Sequence, residues 1–270
     1  MGRGGSLNWL GRITEPLRPR LVPSFLIVGA QKAGTSALFK MLAQHPKLVA
    51  PKVKELDFFT DPVRVAQGNG AYAKCFPAKP LRGEGFSTFE ASPAYMFEPV
   101  IAERIHAWFP YMHIVAVLRD PVPRAFSAWN MFRQFQHHAK YSRLHDPRSF
   151  QQAVEEELSG APVPFAHRYI GHGNYAAQLR PFIQLFGREH VHIINYKDLK
   201  RDPAAQLQRL CMAVGLPPFQ GVLPTEVKAN KRPYSQSMPA EVATRLRAHF
   251  APQLAELEAV LGERMGLREE

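Results

Sequence analysis

Pro23-Ser24-Phe25-Leu26-Ile27-Val28-Gly29-Ala30-Gln31-Lys32-Ala33-Gly34-Thr35-Ser36 is the stretch on which the fold turns. Phe25–Val28 is a short apolar run without polar alternation, the pattern of a parallel strand buried on both faces. Gly29 and Gly34 bracket a tight turn, and Thr35 opens a helical pattern that reaches Gln44 and stops before Pro46. A strand, a glycine-rich turn, hydroxyl residues and a helix, in that order, make a phosphate cradle. Free backbone N–H groups and the positive end of the helix dipole meet there at one point. Glycine lets the backbone approach an anion closely, and Lys32 adds a point charge. An ordinary strand-to-helix turn explains the glycines, but not a lysine followed by two hydroxyls at a helix start. Lys32, Ala33, Gly34, Thr35 and Ser36 are therefore the expected anion-binding residues.

Working outward, Gly85–Phe89, His113–Leu118 and Val191–Asn195 read as further buried strands. Helical patterns separate them. Glu98–Phe109 carries Ile101, Ile105 and Trp108 on one face, and Pro121–Phe135 follows the capping residue Asp120. Asn174–Phe186 comes next, then Pro203–Val214 behind a second Asp-Pro start at Asp202. The last helix spaces Val242, Leu246, Phe250, Leu254, Leu257 and Leu261 at helical intervals, with Pro252 as a point for a kink. Alternating strands and helices predict an α/β fold: a parallel β-sheet flanked by helices on both faces, with a P-loop-like nucleotide-binding core.

Residues 1–22 are expected to form a flexible basic arm, 23–262 a single domain, and 263–270 a tail. Residues 136–173 look irregular and rich in His and Pro, and read either as a flap over a site or as a surface insertion. Across the 270 residues, 34 Lys+Arg against 23 Asp+Glu leave a net charge of +11. The 46% apolar and 21% charged composition is that of a globular protein rather than a disordered one. No apolar run is long enough to cross a bilayer, and no apolar stretch follows the N-terminal basic residues, so neither a membrane span nor a signal peptide is expected. Two cysteines, Cys75 and Cys211, exclude a disulfide scaffold and a cysteine-built zinc site, and suit a reducing compartment. The positive balance draws phosphates, sulfates, nucleic acids and anionic membrane surfaces without choosing among them.

The cradle is not a Walker A loop, because Lys32 precedes Gly34 instead of following the second glycine. The third strand ends in Arg119-Asp120-Pro121, where Asp120 is better placed to cap a helix than to hold magnesium. Arg119 stands at a strand's carboxyl end, and Ser127 lies in the helix that follows; a guanidinium fork and a hydroxyl so placed can share one phosphate.

Pro23–Ser36, Lys54-Glu55 and Arg119-Asp120-Pro121…Ser127 together resemble the sulfotransferase superfamily, most nearly its heparan sulfate sulfotransferase-like branch and bacterial relatives, over residues 23 to about 262. The resemblance implies 3′-phosphoadenosine 5′-phosphosulfate (PAPS) as co-substrate, with no metal. It places the 3′-phosphate on Arg119 and Ser127, and on a basic loop before the final helix, here Asn230, Lys231, Arg232 and Tyr234. On residue types alone, Lys52–Phe59 reads as a surface loop of mixed charge; the resemblance makes Glu55 the catalytic base, with Lys32 stabilising the leaving phosphate. Asp57 is close to Glu55 but off the family pattern. Lys54, Phe58 and Tyr95 are the expected acceptor contacts, and Phe59 is another ring that suits a sugar or lipid. His45 and the His137–His138 pair are rival bases, since another branch uses histidine; His45 reads instead as a helix end and the pair as flap surface. Ala91 stands where heparan-type members often carry lysine, which argues against a heparan-like acceptor.

The expected activity is sulfuryl transfer from PAPS to a hydroxyl, or to an amine as second choice, of a carbohydrate, glycolipid or small-molecule acceptor. A small-molecule or nucleotide kinase and a nucleic-acid-binding protein are the alternatives; the first lacks a magnesium ligand, and the second has charge but no basic helix stripe. No nucleic acid partner is expected. The implied location is the cytoplasm, with peripheral contact at the inner membrane through the basic arm.

Overall fold

The computed structural model describes residues 18–81, 84–219, 233–234 and 236–268. Strands β1 (Pro23–Gly29), β2 (Thr88–Ala91), β3 (His113–Leu118) and β4 (Val191–Asn195) form one sheet in the order β2-β1-β3-β4. All three pairings are parallel, with Phe25 opposite Phe89 and His113, and Ala116 opposite Ile193. Successive strand side chains face opposite ways, and nearly every residue of β1, β2 and β3 is buried, so both faces are covered.

The covering helices are α1 (Thr35–Leu42), α2 (Pro62–Ala66), α3 (Asn69–Ala73), α4 (Pro99–Trp108), α5 (Pro121–Arg133), α6 (Phe150–Leu158), α7 (Tyr175–Phe186), α8 (Tyr196–Arg201), α9 (Pro203–Ala213) and α10 (Ala240–Leu261). Leu38, Met41, Ile101, Ile105, Leu179, Phe182, Leu210 and Leu257 join the strand residues in one core. Asp120 and Asp202 cap α5 and α9 as expected, accepting from the N–H groups of Val122 (2.8 Å) and Ala205 (2.9 Å). Among the described residues no helix is long and apolar enough to cross a membrane.

Four expectations change. The second strand begins at Thr88, not Gly85, because Gly85 sits in the left-handed region (φ +73°) and Ser87 pairs sideways with the 47–49 segment, its N–H on the Lys47 carbonyl (3.0 Å). Residues 136–173 are not wholly irregular. They contain α6, started by a capping box in which Ser149 and Gln152 bond each other's N–H groups (3.1 and 2.9 Å). Phe150, Ala153, Val154, Tyr169 and Ile170 form a second core with Phe126 and Trp129 of α5 and Leu246 and Phe250 of α10. The arm is tethered at its end: Leu21 is buried and donates to the Pro77 carbonyl (2.9 Å), and Lys79 donates to that of Pro19 (2.8 Å). Residues 1–17 lie outside the described chain. The tail from 263 is docked too, with Leu267 buried and Asn195 Nδ2 donating to the Met265 carbonyl (2.7 Å).

Candidate active site

Because the strands are parallel, their carboxyl ends share one edge, where open α/β sheets bind ligands. Gly29 leads there into the cradle, Ala91 into the turn at 92–96, Leu118 into Arg119, and Asn195 into Tyr196. The cradle is tied to its neighbour by the Ala30 N–H, which donates to the Val117 carbonyl (2.8 Å). A Cβ on Gly29 would run into the Met96 side chain, so glycine lets that turn close over the strand end. Lys32 (φ +65°) and Gly34 (φ +98°) both take left-handed backbone. Such conformations recur where a backbone is shaped around a ligand. α1 starts at Thr35 with no side chain capping it. The first-turn N–H groups of a helix have no acceptor within the helix, and its dipole adds positive potential there.

Lys32 Nζ lies 3.8 Å from Met131 Sδ on α5. Ser127 stands one turn earlier on that helix, so the same flank of α5 borders the cradle. The Arg119 guanidinium lies 5.0 Å over the ring of Tyr196, the first residue of α8. That ring also fills the space above Gly34, where a Cβ would meet it at 3.0 Å. One aromatic ring thus joins the two expected anion sites. Residue types alone did not single out Tyr196; its signal is an aromatic directly after a buried strand at the ligand edge of the sheet.

Of the basic loop, Asn230, Lys231 and Arg232 lie outside the described residues. Pro233 and Tyr234 are held on α5. The Pro233 carbonyl accepts from Asn130 Nδ2 (3.2 Å) and Gln134 Nε2 (2.8 Å), and the Tyr234 ring stacks on Phe126 at 5.3 Å.

Glu55 is exposed at its loop, where Lys54 Nζ bonds its Oε1 at 2.7 Å. Its N–H donates to the Ala91 carbonyl (3.2 Å), which fastens the loop to the end of β2. Glu55 (φ +64°) and Asp57 (φ +47°) both hold left-handed backbone without being glycine. Burial, and then the neighbouring Glu55 carboxylate, raise the pKa of Asp57 above the ordinary carboxylate value. Phe58 and Tyr95, expected to touch an acceptor, are instead buried. Phe58, Phe59, Tyr72 and Trp108 pack ring against ring, edge to face in the Phe58–Tyr72 and Phe59–Trp108 pairs and tilted in the Phe59–Tyr72 pair, and Tyr95 packs on Phe59 at 5.6 Å. Burying these rings gains more than leaving them on a loop surface would. Lys54 alone of the three expected acceptor contacts stays partly exposed. His45 is buried at the end of α1, bonded to the Pro217 carbonyl (2.9 Å), and His138 Nδ1 accepts from Lys140 and Tyr141 N–H groups in a turn.

The buried Glu90 carboxylate of β2 lies beneath the Glu55 loop. It accepts from the hydroxyls of Tyr72 (2.5 Å), Ser92 (2.7 Å) and Tyr95 (2.5 Å). Burial raises its pKa against the lowering effect of those three bonds.

The sulfotransferase domain family matches residues 23–250 of this chain. A sulfotransferase of solved structure from Alicyclobacillus acidocaldarius superposes with a TM-score of 0.72 at 30% identity, covering 90% of this chain and 96% of that one. The human bifunctional heparan sulfate N-deacetylase/N-sulfotransferase 2 is 28% identical over 209 residues, 73% of this chain and 22% of that protein. The mouse heparan sulfate glucosamine 3-O-sulfotransferase 5 is 27% identical over 204 residues, 73% of this chain and 54% of that protein. The chain therefore spans about a fifth of the first relative's length and about half of the second's. With the match running from β1 into α10, and a bacterial sulfotransferase sharing the fold along nearly its whole length, this chain belongs to the sulfotransferase family.

Proposed function

We propose that this sulfotransferase takes its sulfuryl group from PAPS and delivers it to a hydroxyl of a carbohydrate or glycolipid acceptor. The observation that carries the proposal is the pairing of the cradle with Arg119 through Tyr196, two cationic anion sites on one sheet edge. A nucleotide with a phosphosulfate at one end and a 3′-phosphate at the other needs such a pair. The cradle N–H groups and Lys32 hold the 5′-phosphate and stabilise charge as it builds there. Arg119 and Ser127 hold the 3′-phosphate, with Lys231 and Arg232 added from the basic loop. Glu55 removes the acceptor proton while the acceptor oxygen bonds to sulfur and the sulfur–phosphate oxygen bond breaks. The proton ends on Glu55 and the electron pair on the 5′-phosphate. The heparan sulfate names of the two relatives support a glycan acceptor. The N-sulfotransferase name favours an amine as the second reading.

Calorimetric titration with 3′-phosphoadenosine 5′-phosphate, the desulfated product, against ATP with magnesium tests the donor. Binding of the bisphosphate that is lost in Lys32→Ala and Arg119→Ala supports PAPS; preference for ATP overturns it in favour of a kinase. Transfer of labelled sulfuryl from PAPS to a glycan panel, with Glu55→Gln alongside, then tests acceptor and base. General-base removal lowers kcat by about a hundredfold or more, whereas an unchanged Glu55→Gln rate removes Glu55 from that role.

A further inference from the structure

We propose that Glu90 is a positioning residue for the catalytic loop: it holds Glu55 in place through two hydroxyl relays without reaching the substrates. The proposal rests on Glu55 being the base.

Glu90 sits in β2 and pairs with Leu26 of β1, so its backbone belongs to the rigid sheet. It accepts bonds from Ser92 and Tyr95. A hydroxyl has one proton and can accept as well as donate. With both protons spent on Glu90, the two oxygens face the loop as acceptors. Ser92 Oγ accepts from the Asp57 N–H (3.0 Å), and Tyr95 Oη from the N–H groups of Phe58 (2.8 Å) and Phe59 (3.4 Å). Tyr72, the third donor to Glu90, closes the other side, with its ring 5.0 Å from both Phe58 and Phe59. The loop so gripped is the one that carries Glu55 and Asp57 in left-handed backbone. Non-glycine residues keep that conformation only when their surroundings over-determine it. The two hydroxyls thus end on three consecutive N–H groups, those of Asp57, Phe58 and Phe59, in the loop that carries Glu55.

Glu90→Gln preserves shape but replaces one acceptor oxygen with an NH2 donor. At least one hydroxyl must then turn round to accept from it, and the acceptor facing the loop is lost or weakened. Amide exchange on the protein bound to 3′-phosphoadenosine 5′-phosphate reads this without any acceptor. Exchange at Asp57, Phe58 and Phe59 should accelerate by about tenfold or more, because local opening is set by such bonds. Affinity for the bisphosphate should stay within about twofold, since the Glu90 carboxylate bonds to Tyr72, Ser92 and Tyr95 and to no cradle residue. Unchanged loop exchange, or equal acceleration throughout the sheet, overturns the proposal. Should Glu90→Gln not fold, Tyr95→Phe keeps Glu90 and the ring while removing one relay. It should expose the Phe58 and Phe59 amides alone; unchanged exchange there is equally fatal.

Kinetics with labelled PAPS and de-N-sulfated heparan as the acceptor probe separate positioning from general weakening. Glu90→Gln should lower kcat by about ten- to a hundredfold, the cost of misplacing a reacting group by about 1 Å, with KM for PAPS held. Added to Glu55→Gln, it should cost nothing further, because its effect passes through Glu55. A full additive loss assigns Glu90 another role and overturns the proposal. An active Glu55→Gln enzyme instead overturns the base assignment. A wild type that transfers nothing to this glycan counts against a heparan-like acceptor alone, and the exchange result decides the role of Glu90.

Discussion

The Arg119 guanidinium stands 5.0 Å over the ring of Tyr196, which also covers Gly34 at the start of α1. Lys200 Nζ lies 5.7 Å from the same ring. The ring is therefore one surface against which the Arg119 guanidinium rests. Tyr196→Ala should weaken binding of 3′-phosphoadenosine 5′-phosphate by about five- to thirtyfold, the range of a partly desolvated cation–π contact. Tyr196→Phe, which keeps the ring face, should stay near wild type. Calorimetry on the two variants checks this; equal loss in both assigns the effect to the hydroxyl instead.

Gly34→Ala puts a Cβ 3.0 Å from the Tyr196 ring at a φ of +98°. Strain at such a position costs about 1–3 kcal/mol, and the displaced ring takes Arg119 with it. The variant should melt at a lower temperature and lose bisphosphate affinity as well. A stability loss with full affinity would show that the cradle and the Arg119 site are not linked through the ring.

Phe150 is fully buried between Phe126 (5.0 Å) and Trp129 (5.7 Å), on the α5 segment that carries Ser127. Phe150→Ala should destabilise the fold by about 3–5 kcal/mol, as removing a core phenylalanine does. A thermal melt and denaturant titration measure it. A change below about 1 kcal/mol, the level of surface substitutions, would place α6 outside the cooperative core.

Burial and the nearby Arg124 guanidinium depress the pKa of His172 to about 3, and burial with His113 depresses that of His192 to about 4. In the unfolded chain both return towards about 6.5. Between those values the unfolded chain binds more protons than the folded one, so stability is full above about pH 6.5 and falls as pH drops through the window. Melting temperatures from pH 7.5 down to 4.5 should decline accordingly. His172→Gln, which retains a donor for the Phe165 carbonyl, should flatten the decline. An unchanged slope in that variant removes His172 as its source.

Much of the fold was legible because its signals are local. Phe25–Val28, His113–Leu118 and Val191–Asn195 announce buried parallel strands, and Asp120-Pro121 and Asp202-Pro203 mark helix starts that the structure caps at those residues. β2 was misplaced because its first paired residue depends on where residues 47–49 dock, which no local pattern reports. α6 was hidden because its apolar face is short and lies between His- and Pro-rich segments. Only α5 and α10 across the gap make Phe150, Ala153 and Val154 core residues.

By itself, the sequence determined the residue chemistry of the site: a lysine between two turn glycines, hydroxyls at a helix start, and an arginine at a strand end. These follow from backbone conformation and helix ends, which near neighbours set. Tertiary structure decided which aromatics are buried, that Tyr196 links Gly34 to Arg119, and that Glu90 reaches the Glu55 loop through Ser92 and Tyr95. Those relations join β4 to β1 and β3, and β2 to a loop some thirty-five residues earlier. They arise only when the sheet order is complete, because hydrogen bonds and ring contacts depend on distance in space and not on distance along the chain.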